Sequence, residues 1–162
     1  MLTLTTISGL PAHVLLVHAM VVLAPLTALL EILCALWPAA RQRLVWLVLA
    51  FAVVTTALTP ITTEAGEWLY DRERHHSAIL NTHADRGGWM IYFSVAMLVV
   101  AVVLTVVHWR ENRSAKPGMA TSLAVAVLAI VVGAASIVQV VRIGDAGARS
   151  VWANELTKSD KP

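Results

Sequence analysis

The 162 residues include 58% hydrophobic and only 14% charged side chains, with a mean hydropathy of +0.73, a composition far more apolar than that of an ordinary soluble domain. The formal net charge of +2 is too small to indicate a nucleic-acid surface, and no zinc finger, basic aromatic patch or phosphate-cradling glycine loop is present. The one cysteine, Cys34, excludes a disulfide framework within the chain and reads as a small buried apolar residue.

Apolar runs follow one another at about 11–37, 43–63, 87–108 and 119–142, each near the roughly 20 residues that a helix needs to cross a bilayer. The expected fold is all-α: an integral membrane four-helix bundle, one domain over residues 1–162, bathed by the lipid bilayer. The first run lacks a basic leader and is too long for a secretory signal core, so it is expected to be retained. It contains Pro25, and the second run contains Pro60; each removes a helix donor and frees a carbonyl for a neighbour. Between the second and third runs, Glu64 to Arg86 mixes Trp68, Leu69, Tyr70, Ile79 and Leu80 with charges, which predicts a short helix lying along the interface. The fourth run has Ala126, Ala129 and Gly133 at helical spacing, the pattern of a close contact within a bundle. No internal repeat is apparent.

Arg41, Arg43, Arg110, Arg113 and Lys116 fall in the first and third loops against a single acid, Glu111. The positive-inside rule therefore sets those loops in the cytoplasm and both termini outside. Tryptophan favours the headgroup level, and here it divides evenly, with Trp37, Trp46 and Trp109 at one surface and Trp68, Trp89 and Trp152 at the other.

Sorted by depth, the polar residues collect in one outer layer. His13 and His18 lie in the outer part of the first helix, and Thr59, Thr62, Thr63, Glu64 and Glu67 close the second. His83, Asp85 and Arg86 precede the third, while Gln139, Arg142 and Asp145 end the fourth. His18 is about 7.5 Å deeper than His13 and about 140° around the axis, so the two cannot readily share one compact ion. A haem b instead takes axial ligands from two helices. His18 with His83 is the preferred pair and His13 the substitute, with Arg142 or Arg86 for a propionate. Hydrogen bonding across helices, or another metal or proton-linked role, stays open beside it. His75 and His76 belong to the solvated loop, and His108 lies near the other surface, too far to join. Glu31, about four turns beyond His18, is expected to reach the cytoplasmic interface near Arg41 and Arg43; a proton path from it to His18 is the bolder reading.

Three stretches, GLPAHVLLVH from Gly9, TPITTEAGEWLYDR from Thr59 and RIGDAGARSVW from Arg142, together resemble the bacterial membrane-protein family called domain of unknown function 2231. The resemblance covers nearly the whole chain and implies a four-helix module in the bacterial cell membrane. The family's opening His-Pro-Leu-Leu-Val-His element is matched at His13 and His18, with Val14 where proline is usual. Its Gly-His-x-Gly-Gly element corresponds to Gly144-Asp145-Ala146-Gly147, without the histidine. Fusions of some members to Rieske or cytochrome-like domains imply a link to electron transfer.

The sequence thus supports a redox-linked membrane module binding haem b near the outer surface, in company with a larger redox membrane complex. The alternative is a non-catalytic accessory or scaffold subunit of such a complex. No hydrolase constellation is present, and a stand-alone enzyme is not expected.

Overall fold

The computed structural model describes residues 6–7, 10–73, 76–113 and 118–159; His75 and Lys116 lie outside them. Thr6–Ile7 (β1) pairs antiparallel with Leu10–Pro11 (β2) as a minimal ribbon before the first helix. Five helices follow: α1 (Ala12–Leu36), α2 (Pro38–Tyr70), α3 (Ala78–Gly88), α4 (Met90–Asn112) and α5 (Met119–Ser159). Four helical stretches, Ala12–Leu36, Pro38–Tyr70, Ala78–Asn112 and Met119–Trp152, are long and apolar enough to cross a membrane.

The connections are shorter than expected. Trp37 alone separates α1 from α2, in an extended conformation (φ −125°, ψ 102°), with Pro38 opening α2. A residue before proline is disfavoured in the helical region, while proline suits the first helical position, so one dipeptide ends one helix and starts the next. Arg41 is thereby brought into the first turn of α2. Its Nη1 donates to the Cys34 carbonyl at 2.8 Å, capping the end of α1, and its Nη2 meets Glu111 Oε1 of α4 at 2.6 Å.

At the other end, α2 runs on to Tyr70, so Glu64 and Glu67 stand on a continued helix. The short helix expected in this loop is α3, later in the segment than its tryptophan suggested. Ser77 Oγ accepts from the Leu80 N–H at 3.1 Å and caps it. Trp89, with φ −72° and ψ −15°, joins α3 to α4 almost without a break.

The bundle order is α1, α2, α4, α5, with α1 and α4 also meeting across the diagonal and α3 lying against α5. One core cluster, around Cys34, Val48, Leu104 and Ala129, fills the arginine end; another, around Met20, Met90, Met97 and Val140, fills the opposite half. Gly133 lets α5 approach α1 closely: a Cβ there would stand 2.9 Å from Ile32 Cδ1 and 3.3 Å from the Ala28 carbonyl oxygen. The small residues of the fourth span therefore serve a contact inside the bundle.

Candidate functional site

His13 sits in the first turn of α1, half-buried against α2, where its Nδ1 bonds the Thr62 carbonyl at 2.9 Å. One turn further along α2 is Gly66, and a Cβ there would lie 2.8 Å from His13 Cε1. His83 on α3 repeats the arrangement against α5. Its Nδ1 bonds the Ile143 carbonyl at 3.0 Å, and a Cβ on Gly147, one turn further, would lie 3.0 Å from its Cε1. The two imidazoles are neighbours in an edge-type arrangement, with ring centroids 6.2 Å apart and planes nearly perpendicular at 83°.

These contacts fix the tautomers. A carbonyl oxygen only accepts, so Nδ1 carries the proton on both rings and a neutral ring presents its lone pair at Nε2. Nδ1 on a backbone carbonyl is also the usual support of a metal-ligating histidine. A first-row ion held at about 2.0–2.1 Å by each of two facing imidazoles would set their centres about 6 Å apart, close to the separation observed. Among the described residues no group of three or more His, Cys, Asp or Glu side chains gathers as a metal site.

His18 has a different place from the one expected. It is exposed on the outer face of α1, and its Nδ1 bonds the Val14 carbonyl of its own helix; the angular step from His13 carries it away from the bundle. The ring that meets His83 belongs to His13. The rest of the expected layer divides in two. Thr59, Thr62 and Gln139 are buried and Arg86 is half-buried. Gln139 Nε2 donates to the Arg86 carbonyl at 2.8 Å, and Arg86 Nη1 donates to the Arg142 carbonyl at 3.0 Å, tying α3 to α5. Glu64, Glu67, Asp85, Arg142 and Asp145 are exposed, and Asp145 pairs with Arg149 at 2.9 Å.

Glu31 also departs from expectation. Instead of reaching an interface it is fully buried, and neither carboxyl oxygen has a hydrogen-bond partner among the described residues. Arg41, its expected neighbour at the interface, is held by Glu111 and the end of α1.

The glycines were not singled out from sequence, although the signal was present. Glu64-Ala65-Gly66 and Asp145-Ala146-Gly147 are the same acid-Ala-Gly step, each behind the carbonyl that holds a histidine. Continuing inward in register, Thr55 corresponds to Ser136 and Val48 to Ala129; from the histidines, Met20 corresponds to Met90 and Cys34 to Leu104. All eight of these side chains are buried. The two hairpins, α1–α2 and α3/α4–α5, thus carry buried residues and a histidine-backing glycine at matching intervals.

A family model described as Predicted membrane protein (DUF2231) matches residues 9–160, which takes in both hairpins and both histidines of the pair. No curated protein and no solved structure matches the chain.

Proposed function

The chain belongs to the DUF2231 family of predicted membrane proteins, and from that premise we propose that it is a redox-linked module that binds one haem b between His13 and His83. The observation that supports this reading is the pair of imidazoles, 6.2 Å apart, each anchored through Nδ1 with Nε2 left for a ligand. His13 and His83 would be the two side chains holding a haem, a group that needs few ligands from the protein and so suits a two-histidine site better than a bare ion does.

Haem b would supply one-electron chemistry at this end of the bundle. The part of the protein is to hold it: Thr62 and Ile143 orient the two rings, and Gly66 and Gly147 leave the space in which they stand. Arg142, exposed just before Ile143, is the candidate partner for a propionate. A single haem stores one electron, so the module works with a donor and an acceptor, which we assign to a larger redox membrane complex.

The start of α1 and the end of α5 lie at the histidine end, and Arg41, Arg43, Arg110 and Arg113 mark the other. By the positive-inside rule the histidine end faces outward from a bacterial cell membrane. The test is expression with ample haem, purification in mild detergent, and absorption spectra of the oxidised and reduced protein. A Soret band with sharpened bands on reduction is expected; haem-free protein under those conditions overturns the reading.

A further inference from the structure

We propose that Glu31 is the proton-exchange group of a relay running through the bundle core, from a cavity at the arginine end to the polar layer around Thr62. The inference stands on Glu31 and its surroundings and not on the haem reading.

The carboxyl of Glu31 is enclosed completely and makes no hydrogen bond with a described residue. Burying such a group without a partner is costly, and ionisable residues inside spans characteristically serve ion or proton pathways. The titratable and charged groups nearest its level do not neutralise it. Cys34 lies on the same helix; Arg41 of α2 is spent on Glu111 of α4 and on the Cys34 carbonyl; His108 of α4 is buried, its Nε2 paired with Asn112 and its Nδ1 bonded to no described residue, Glu31 included. On α5 the inward residues facing this region, Val125, Ala129, Gly133 and Ser136, are not titratable.

On the arginine side, one turn from Glu31, Ala35 lines a cavity of about 110 Å³ together with Arg41, Thr121 and Ser122, room for several waters. On the histidine side, one turn the other way, Thr27 is fully buried, and its Oγ1 lies 3.4 Å from that of Thr55. Thr27 donates to the Leu23 carbonyl, so Thr55 is the donor between them. Thr59 and Thr62 continue the line along α2, both buried. Ser94 and Ser136 bring hydroxyls from α4 and α5, so every spanning helix contributes one or more to the core. Hydroxyls both donate and accept, and the steps of one turn, about 6 Å, are of a length that one water bridges.

Transfer conserves charge and needs no redox partner. Glu31, one turn inward of the cavity-lining Ala35, takes a proton relayed from the cavity by one bridging water and passes one to a second bridging water on the Thr27 side. Thr27 accepts it and, once its hydroxyl has turned from the Leu23 carbonyl and that of Thr55 has turned away from Thr27, releases its own proton to the Thr55 oxygen, and one proton leaves near Thr62 for each one taken up.

The full-length protein is reconstituted into phosphatidylcholine–phosphatidylglycerol vesicles that enclose a pH-sensitive dye, and a valinomycin potassium potential drives protons across. Flux above that of protein-free vesicles is expected. It should fall to the protein-free rate in Glu31→Gln, return with Glu31→Asp, and fall in Thr27→Val combined with Thr55→Val, each checked for native helicity and monodispersity. Wild-type flux no greater than the protein-free rate overturns the relay, as does undiminished flux in correctly folded Glu31→Gln or in the threonine variant. Because the readout involves no haem, it separates cleanly from the absorption test.

Discussion

Gly66 leaves the space that the His13 imidazole occupies: a Cβ at that position would come within 2.8 Å of Cε1 and 2.9 Å of Nδ1. Gly147 stands to His83 in the same way, at 3.0 Å and 3.1 Å. A glycine one turn behind the accepting carbonyl therefore sets the place of the imidazole, because it allows Nδ1 to reach that carbonyl.

Gly66→Ala and Gly147→Ala should each push an imidazole off its carbonyl and lower the haem-to-protein ratio, with a loss of stability of about 1–3 kcal/mol from overpacking. Gly144→Ala, where a Cβ meets nothing within 4 Å, should leave haem content unchanged and stability equal or higher by up to about 1 kcal/mol. Haem content and thermal unfolding of the three variants in detergent measure this, and equal haem content in all three would deny the glycines their role.

The buried, unpartnered carboxyl of Glu31 should cost stability. Glu31→Leu is expected to raise the unfolding free energy by about 1–3 kcal/mol, the usual penalty of an unsatisfied buried polar group. A stabilised variant without proton flux would show a functional group kept at the expense of stability. Thermal unfolding measures the change, and destabilisation would indicate a packing or hydrogen-bonding role instead.

Arg41 and Glu111 form a nearly buried pair, with side chains 6% and 14% exposed. Removing one partner from such a pair costs about 3–5 kcal/mol, so Arg41→Ala should unfold much earlier. Arg41→Met with Glu111→Met should recover most of the loss, because no lone charge is left in the core. A double-mutant cycle on unfolding free energies gives the coupling directly.

The ring planes of His13 and His83 cross at 83°. A low-spin ferric haem held between them should give the strongly anisotropic paramagnetic resonance signal of perpendicular axial imidazoles. A rhombic signal of parallel rings, or a high-spin signal, would contradict this pair of ligands.

The span count could be read from apolar run length, because a helix crossing hydrocarbon must be long and apolar whatever its neighbours are. Helix ends were less legible: α2 starts at Pro38 and continues to Tyr70, since a single dipeptide suffices for the turn and a helix does not stop where the membrane does. The site was half legible. His83 and His13 were both among the candidates, but depth along α1 favoured His18, whereas the direction around the helix decides which ring enters the bundle. The two glycines were overlooked because their part shows only in the space they leave for the rings. Glu31 was misplaced because a carboxylate is ordinarily drawn toward the nearest arginine, and Arg41 was already engaged by Glu111 and the Cys34 carbonyl.

The most direct measurement for the haem site is the haem-to-protein ratio of His13→Ala, His83→Ala and His18→Ala, purified in parallel after expression with ample haem. Loss of haem in the first two and retention near the wild-type level in the third is the predicted result. Retention by His13→Ala or His83→Ala, or loss confined to His18→Ala, would contradict a haem held between the two rings.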